Sequence, residues 1–492
     1  MKMLLDTSDH GSYLTFLKIK SLPTYRITGR VAEFPDEYAS LLGLADGYKR
    51  MVHWSISPWM FDYQKAIVEM AIQKRKFAIF ADCGLGKTPM LLEFAQAASQ
   101  STPSKQTLII SPLMVVKQTI DECRRFYGIE LDHVTSKTLN SWLSGSGQIG
   151  IVNYDALNSE TIQGNLGALI LDESSMLKSH YGKWGGTVLR IGEGIEWKLC
   201  CSGTPAPNDR IEYANHAVFL DHFQNVNAFL ATYFVNKGQT QERWVLKPHA
   251  LEPFYRSMSH WAFFLTNPAT YGWNDNARTL PPINVHIHDV DLTDEQKDVI
   301  GQESGELFAT KMGGITSRSV MGQIAKGNYR GRDIESNKPA YIRGLIESWP
   351  DESTIVWCLY NREQERLEKE LPEAVSITGS TPIEKRQELV DGFKAGKYKT
   401  LISKPKILGF GLNLQIATRQ VFSGLQDSYE SYYQAVKRSN RIGSTKPLNV
   451  HIPITDVEYP MVETVLRKAK MVQIDTEMQE RLFNTHASVI NH

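Results

Sequence analysis

Along residues 53–215, short apolar runs alternate with stretches of helical period. The runs at 77–81, 107–112, 150–154, 168–171 and 198–201 are nearly unbroken in Phe, Ile, Leu, Val, Ala and Cys. Such strands, separated by helices, predict a parallel sheet covered on both faces. A second region of the same kind spans 341–458. Its strands are expected at 354–360, 374–377, 399–403 and 420–422, and its helices at 362–371 and 382–395, the latter capped by Thr381. Residues 1–52 read as a small separate module, with a loose alternation over 13–19, turns at Leu22-Pro23 and Thr28-Gly29-Arg30, and a short strand over 30–35.

The stretch 216–340 breaks the pattern. It is rich in aromatics (Phe219, Phe223, Phe229, Tyr233, Trp244 and Trp261 among them), and Leu280-Pro281-Pro282 interrupts it. Thr293 reads as the cap of a helix beginning with Asp294. The basic residues Lys311, Arg318, Lys326, Arg330 and Arg332 follow. They suit a nucleic-acid surface and equally suit the solvated face of packed helices. The last thirty or so residues read as helical.

Bulk charge adds little, because 54 Lys and Arg balance 54 Asp and Glu; a nucleic-acid groove has to be a local feature. No apolar run reaches the roughly 18 residues of a membrane span, and the N-terminus lacks the apolar core of a signal peptide. The five cysteines show no CxxC spacing, which argues against a disulfide framework or a zinc site and points to a reducing cytoplasm.

The chemistry begins where the run 77–81 breaks into Asp82-Cys83-Gly84-Leu85-Gly86-Lys87-Thr88, with a helical stretch behind it. This is the strand, loop and helix order of a phosphate-binding loop. Gly84 and Gly86 let the backbone approach an anion, and the helix N-terminus adds N–H groups. Lys87 is expected at the β- and γ-phosphates and Thr88 on Mg²⁺. Ala81 stands where the pattern usually has its first glycine. At the end of another buried strand, Asp172 suits Mg²⁺ and Glu173 suits orienting or deprotonating the attacking water. Asp82, Asp172 and Ser202 all lie at strand ends, where ligands bind in such sheets. A third signal is Arg438 and Arg441, three residues apart and therefore expected on one helix face, a pair suited to phosphoryl charge.

Taken together, ADCGLGKT, LIISPL, VNYDAL, LILDESS, CSGTPAPND, ITGSTP, GFGLNLQ and QAVKRSNRIGSTKP occur in an order that resembles the superfamily 2 helicases. The GLGKT, LTDEQ, GLNL and RIGSTKP segments are similar to the Swi/Snf-like DNA translocases, over roughly residues 58–455. The resemblance implies an α/β fold of two RecA-like parallel-sheet domains with helical insertions and a small N-terminal module. Its expected divisions are 1–52, 53–215 (ATP binding, motifs I–III), 216–340 (helical insertion and linker), 341–458 (motifs IV–VI) and a C-terminal helical segment, 459–492.

The resemblance also assigns residues. Gln64 matches the adenine-reading glutamine; Gly84, Leu85, Gly86, Lys87 and Thr88 match motif I; Asp172 and Glu173 match motif II. Ser202, Gly203 and Thr204 match the motif that couples ATP to DNA. Gly411 and Asn413 match motif V, and Gln434, Arg438 and Arg441 match motif VI. Pro112, Asn153, Tyr154, Gly379 and Ser380 are implied on the DNA track, with contacts largely independent of sequence. The implied cofactors are ATP and Mg²⁺, and the implied partner is DNA, duplex or branched, with no membrane.

Three departures stand out. Motif II ends in Ser174-Ser175 where this branch usually has Ala-His, so the coupling through that His is in question. Phe264-Leu265-Thr266-Asn267-Pro268 replaces a basic cluster, and the segment before Gly409 is unlike the usual motif V. The compact length is typical of phage and bacterial forms, which implies DNA replication, recombination or repair in a bacterial cytoplasm. Residues 19–35 are similar to the HARP-type module of annealing helicases. The expected activity is a DNA-stimulated ATPase, a translocase or helicase. An RNA helicase and an ATP-switched nucleic-acid clamp with negligible turnover are the alternatives.

Overall fold

The computed structural model describes the 492-residue chain except at 7, 23, 36, 37, 40, 41, 45–51, 178–183, 239–243, 275–280, 311–314, 409–412, 426, 427, 442, 443, 491 and 492, and except for the side chains at 114, 303–310, 315–317, 383 and 483–490. It divides into two compact units. The first comprises Met1–Ala277 with Gln473–His492, and the second Arg278–Val472.

The first unit opens with a three-stranded antiparallel sheet, β1 (Lys2–Leu4), β2 (Arg26–Thr28) and β3 (Val31–Glu33), with β3 in the middle. The loosely alternating stretch 13–19 is a helix, His10–Lys20, not a strand. Asp9 decides this locally: its carboxylate accepts the Ser12 N–H at 2.6 Å and caps the first turn. Ile19, Leu22, Ala32, Phe34 and Leu42 bury together beneath it. The module is not separate, however. Tyr38 donates its hydroxyl to the His222 carbonyl at 3.0 Å, within the same unit.

The main sheet of this unit has seven strands: β4 (Lys76–Ala81), β5 (Gln106–Ser111), β6 (Asp132–His133), β7 (Ile149–Asn153), β8 (Leu166–Asp172), β9 (Trp197–Ser202) and, after the hairpin β10 (Phe234–Asn236) and β11 (Trp244–Leu246), β12 (Ala262–Leu265). Its order is β12-β4-β9-β8-β5-β7-β6 and every pairing is parallel. The expected boundary at 215 is therefore corrected. Phe263 and Phe264 carry β12 into register beside Ile79 and Phe80, and the aromatics Phe219, Phe223, Phe229, Tyr233, Phe254 and Trp261 belong to this unit's core. An apolar run as short as Ala262–Leu265 gains most by adding to an existing buried sheet edge.

The second unit has six parallel strands, β13 (Ile283–Asp289), β16 (Thr354–Trp357), β17 (Val375–Ser376), β18 (Thr400–Ser403), β19 (Arg419–Phe422) and β20 (Leu448–Ile454), in the order β13-β20-β19-β16-β18-β17. The small ribbon β14 (Asn328–Tyr329) and β15 (Arg332–Asp333) lies between β13 and β16 in the chain. Thus the 216–340 stretch is not one insertion: its end supplies the edge strand β13. Thr293 caps the helix Asp294–Thr310 as expected, accepting the Gln296 N–H at 3.2 Å. Thr381 does not cap the helix Ile383–Lys394, because Pro382 holds the cap position and the Thr381 hydroxyl accepts the Thr378 N–H instead.

Of the basic residues between 311 and 332, Lys326 leaves the surface altogether. Its ammonium meets Glu458 at 2.6 Å, Lys338 pairs with the same carboxylate, and all three side chains are buried. A buried charge needs such partners. Lys311 lies outside the described residues. Among the described residues no helix is long and apolar enough to cross a membrane.

Candidate nucleotide site

Strand β4 ends at Ala81, and the chain turns through Gly84 and Gly86, both in the left-handed region (φ +85° and +75°), into the helix Lys87–Ser101. The turn has an internal frame. Asp82 accepts the Cys83 N–H at 2.6 Å, and the Lys87 ammonium donates to the carbonyls of Ala81 (2.8 Å) and Asp82 (3.2 Å). The Leu85 carbonyl accepts from the Tyr63 hydroxyl (3.1 Å) and from Gln64 Nε2 (3.2 Å). Only glycine fits position 86, since a Cβ there would lie 2.1 Å from Gln64 Nε2. The loop carbonyls are thus occupied by protein donors. Beside them stand a helix N-terminus and an ammonium group, which together fit a polyphosphate.

Gln64, expected from the resemblance to read adenine, packs against the loop. It is buried, its Oε1 accepts the Phe61 N–H (3.1 Å) and its Nε2 bonds Leu85, so it braces the loop.

The carboxylates stand two strands away, at the end of β8. Asp172 is buried, and Oδ2 accepts the Ser111 hydroxyl from the end of β5 at 2.8 Å. Burial and the neighbouring Glu173 charge push the Asp172 carboxyl up to about 6, against the Ser111 bond, which lowers it. An anionic oxygen cluster of this kind is the donor chemistry Mg²⁺ takes. Glu173 has φ +57°, a costly conformation for a residue with a side chain. Its Oε1 accepts two hydroxyls, from Ser175 at 2.8 Å and from Ser202 at 2.7 Å, and Ser202 Oγ accepts the Thr204 N–H at 3.0 Å. An ideal Cβ on Gly203 would stand 3.6 Å from Lys87 Nζ. Lys87 and the segment Ser202–Thr204 are therefore neighbours.

Two residues without a sequence signal hold this frame. Ser111 is one. His216, on the helix Tyr213–Phe219, is the other, facing the Ser174 hydroxyl at 3.1 Å. Burial lowers His216 to about 4, so the ring is neutral at neutral pH. Its Nδ1–H then donates to the Glu212 carbonyl (3.3 Å) and Nε2 accepts from Ser174.

Tyr154 is buried, and its hydroxyl donates to the Asp172 carbonyl at 3.0 Å, which ties it to the end of β8. Asn153 uses its Oδ1 to accept the Ala156 N–H, and Pro112 starts the helix Leu113–Tyr127. Thr266, from the segment replacing the basic cluster, donates its N–H (2.7 Å) and hydroxyl (2.6 Å) to Glu480.

In the second unit, Gln434 and Arg438 lie on the buried part of the helix Tyr429–Ser439. Arg441 does not share that face: the helix stops at Ser439, Asn440 leaves helical geometry, and the Arg441 N–H donates to the Ser444 hydroxyl at 3.2 Å. The Arg438 carbonyl accepts the Leu414 N–H at 2.9 Å, which joins motif VI to motif V. Asn413 is exposed beside that contact, and Gly411 lies outside the described residues. Gly379 and Ser380 are exposed in the turn before the helix Ile383–Lys394.

The SNF2-related domain family matches residues 58–338, and the helicase conserved C-terminal domain matches 337–443. The chain belongs to the SNF2-related family. Within that family it is 23% identical over 471 residues to a Drosophila melanogaster SWI/SNF-related matrix-associated actin-dependent regulator of chromatin subfamily A-like protein 1, covering 90% of this chain and 60% of the fly protein. It is 32% identical over 116 residues to the Schizosaccharomyces pombe ATP-dependent helicase fft1, covering 23% of this chain and 12% of the yeast protein. Among solved structures, the Sulfolobus solfataricus SWI2/SNF2 ATPase core in complex with dsDNA is similar with a TM-score of 0.40 and 19% identity, over 88% of this chain and 97% of that one. The chain thus spans less than two thirds of the length of either curated relative.

Proposed function

We propose that this SNF2-related chain is an ATP- and Mg²⁺-dependent motor on DNA, hydrolysing ATP to ADP and phosphate when DNA is bound. The observation that carries the reading is the Glu173 carboxylate, held by two hydroxyls at a strand end beside a glycine loop and its lysine. In this assignment Gly84, Leu85, Gly86 and Lys87 hold the phosphates, and Thr88 with Asp172 holds Mg²⁺, which supplies charge neutralisation at the phosphoryl group. Glu173 orients the attacking water and takes its proton. Ser202, Gly203 and Thr204 relay the state of the site. Gln434, Arg438 and Arg441 serve the transferring phosphoryl group. Pro112, Asn153, Gly379 and Ser380 are the exposed or half-buried residues assigned to DNA.

A DNA partner is supported by the family and by the character of its relatives, and a role in phage or bacterial DNA metabolism belongs to the same proposal. Residues 1–52 are assigned to branch recognition, with Lys18, Lys20, Arg26 and Arg30 as the available cations. The deciding assay is phosphate release with duplex, forked and single-stranded DNA and with RNA. Stimulation by DNA well above RNA is expected, strongest for duplex or forked forms. Equal or greater stimulation by RNA would replace the DNA motor with an RNA motor, and no stimulation by any strand would return the clamp.

A further inference from the structure

The residue at the fourth position of motif II is Ser175, where the family usually carries a histidine, and the structure gives it a specific occupation. Ser175 is buried, and its hydroxyl donates to Glu173 Oε1 at 2.8 Å. Ser202, the first residue of the coupling motif, donates to the same oxygen at 2.7 Å. Glu173 itself sits at φ +57° between Asp172, the last residue of β8, and the short helical turn Ser174–Leu177.

We propose that Ser175 is a positioning residue for Glu173, and that coupling between the nucleotide site and motif III runs through that carboxylate rather than through a histidine. The claim rests on the hydrolysis reading above. Two donors on one carboxylate oxygen leave the other, Oε2, as the oxygen to accept a proton from water. Each also restrains rotation about the carboxylate, so that either one partly holds it when the other is lost. The line continues without a break: Ser175 Oγ to Glu173 Oε1, Oε1 to Ser202 Oγ, and Ser202 Oγ to the Thr204 N–H at 3.0 Å. A shift of Glu173 on hydrolysis therefore changes the partner of the Thr204 backbone. The neighbouring serine does other work, since Ser174 faces His216 at 3.1 Å. The two serines of motif II are thereby assigned opposite tasks, Ser174 fixing the backbone to the helix Tyr213–Phe219 and Ser175 aiming the base.

The test uses the full chain with Ser175→Ala, Ser175→Thr, Ser202→Ala and the Ser175→Ala/Ser202→Ala pair. Two readouts are taken: turnover of ATP with saturating duplex DNA, and the change in DNA affinity produced by a non-hydrolysable ATP analogue. Hydrogen bonds to a charged group suggest that Ser175→Ala lowers kcat about tenfold, with KM for ATP within about twofold. Ser175→Thr keeps the hydroxyl and should recover most of the loss. The double variant should lose more than the product of the single losses, because either hydroxyl alone still restrains Oε1. In a Glu173→Ala background, which removes the oxygen both hydroxyls meet, Ser175→Ala should leave the analogue-dependent DNA affinity unchanged, since the residue acts through that side chain. A parallel fall in kcat and melting temperature for Ser175→Ala, unrelieved by threonine, would overturn the positioning role. So would simple multiplicativity in the double variant. If the wild type binds ATP yet hydrolyses none, the hydrolysis reading fails by itself. The analogue-dependent DNA affinity then still decides Ser175: a loss restored by threonine supports the relay, and an unchanged response overturns it.

Discussion

Ser111, the last residue of β5, donates its hydroxyl to Asp172 Oδ2, at the end of β8, across 2.8 Å. The bond orients a carboxylate that burial would otherwise leave less willing to ionise. If Asp172 serves Mg²⁺, Ser111 is its supporting partner. Ser111→Ala should then raise the Mg²⁺ concentration for half-maximal ATPase by about tenfold, the usual scale for losing a group behind a metal ligand. A Mg²⁺ titration at saturating ATP checks this, and an unchanged midpoint would separate Ser111 from the metal site.

Gly86 is fixed both by its conformation and by its neighbour. An alanine there meets Gln64 Nε2 at 2.1 Å with φ at +75°. Gly86→Ala should therefore abolish measurable nucleotide binding by titration calorimetry. Adding Gln64→Ala removes the clash but keeps the backbone strain, so recovery should be partial. Full binding by Gly86→Ala alone would mean that the loop tolerates a different frame.

Arg441→Ala tests the second unit's share of the chemistry. Losing an arginine from phosphoryl transfer costs on the order of 10³-fold in rate, and ATP affinity should change far less. Arg438 is buried on its helix, so Arg438→Ala is expected to lower the melting temperature as well as turnover. Unchanged DNA-stimulated turnover in both variants would remove the pair from the mechanism.

A pH dependence follows from the histidines of β13 and β20. His288 Nε2 and His451 Nδ1 are 2.9 Å apart, the rings of His286 and His451 stack at 4.7 Å, and Arg419 donates to His451 Nε2 at 3.4 Å. The Tyr341 hydroxyl faces His288 Nδ1, and Trp349 packs on the His451 ring. With Arg419 donating to Nε2, a neutral His451 carries its proton on Nδ1 and passes it toward His288. An added proton has no acceptor in this chain of bonds. Burial, then the neighbouring His286, His288 and Arg419 charges, lower His451 to about 3. The unfolded ring titrates near 6.5, so between about 3 and 6.5 the unfolded state binds more protons. Stability from His451 is complete above about 6.5 and falls as pH drops through that window, by at most about 1.4 kcal/mol per pH unit. Urea unfolding at pH 7 and pH 5 should show the drop, and His451→Gln should make it shallower. An identical slope in the variant would show that His451 does not titrate as described.

Much of the fold could be read from the chain because its strands are buried on both faces and so appear as unbroken apolar runs. The glycine loop between β4 and the helix Lys87–Ser101, and the place of Asp172-Glu173 at a strand end, were legible for a related reason: both are patterns local in sequence. What escaped reading was assembled at a distance. Strand β12 is four residues long and identifies itself only by pairing with β4. Ser111 and His216 acquire roles only when other elements bring Asp172 and Ser174 to them. Tyr154 and Lys326 look like surface contacts in sequence, and burial gives them to the protein's own frame. Arg441 kept helical spacing from Arg438, but Asn440 ends the helix between them.

In the proposed mechanism Glu173 is the base of a DNA-dependent ATPase. The most direct test compares wild type with Glu173→Gln, measuring ATP affinity and phosphate release with and without saturating duplex DNA. DNA should accelerate wild-type phosphate release, while Glu173→Gln should bind ATP with near wild-type affinity and release phosphate at least about 10²-fold more slowly, the scale of a lost general base. Wild-type turnover by the glutamine variant, or loss of ATP binding with it, would contradict the role of Glu173 as the base.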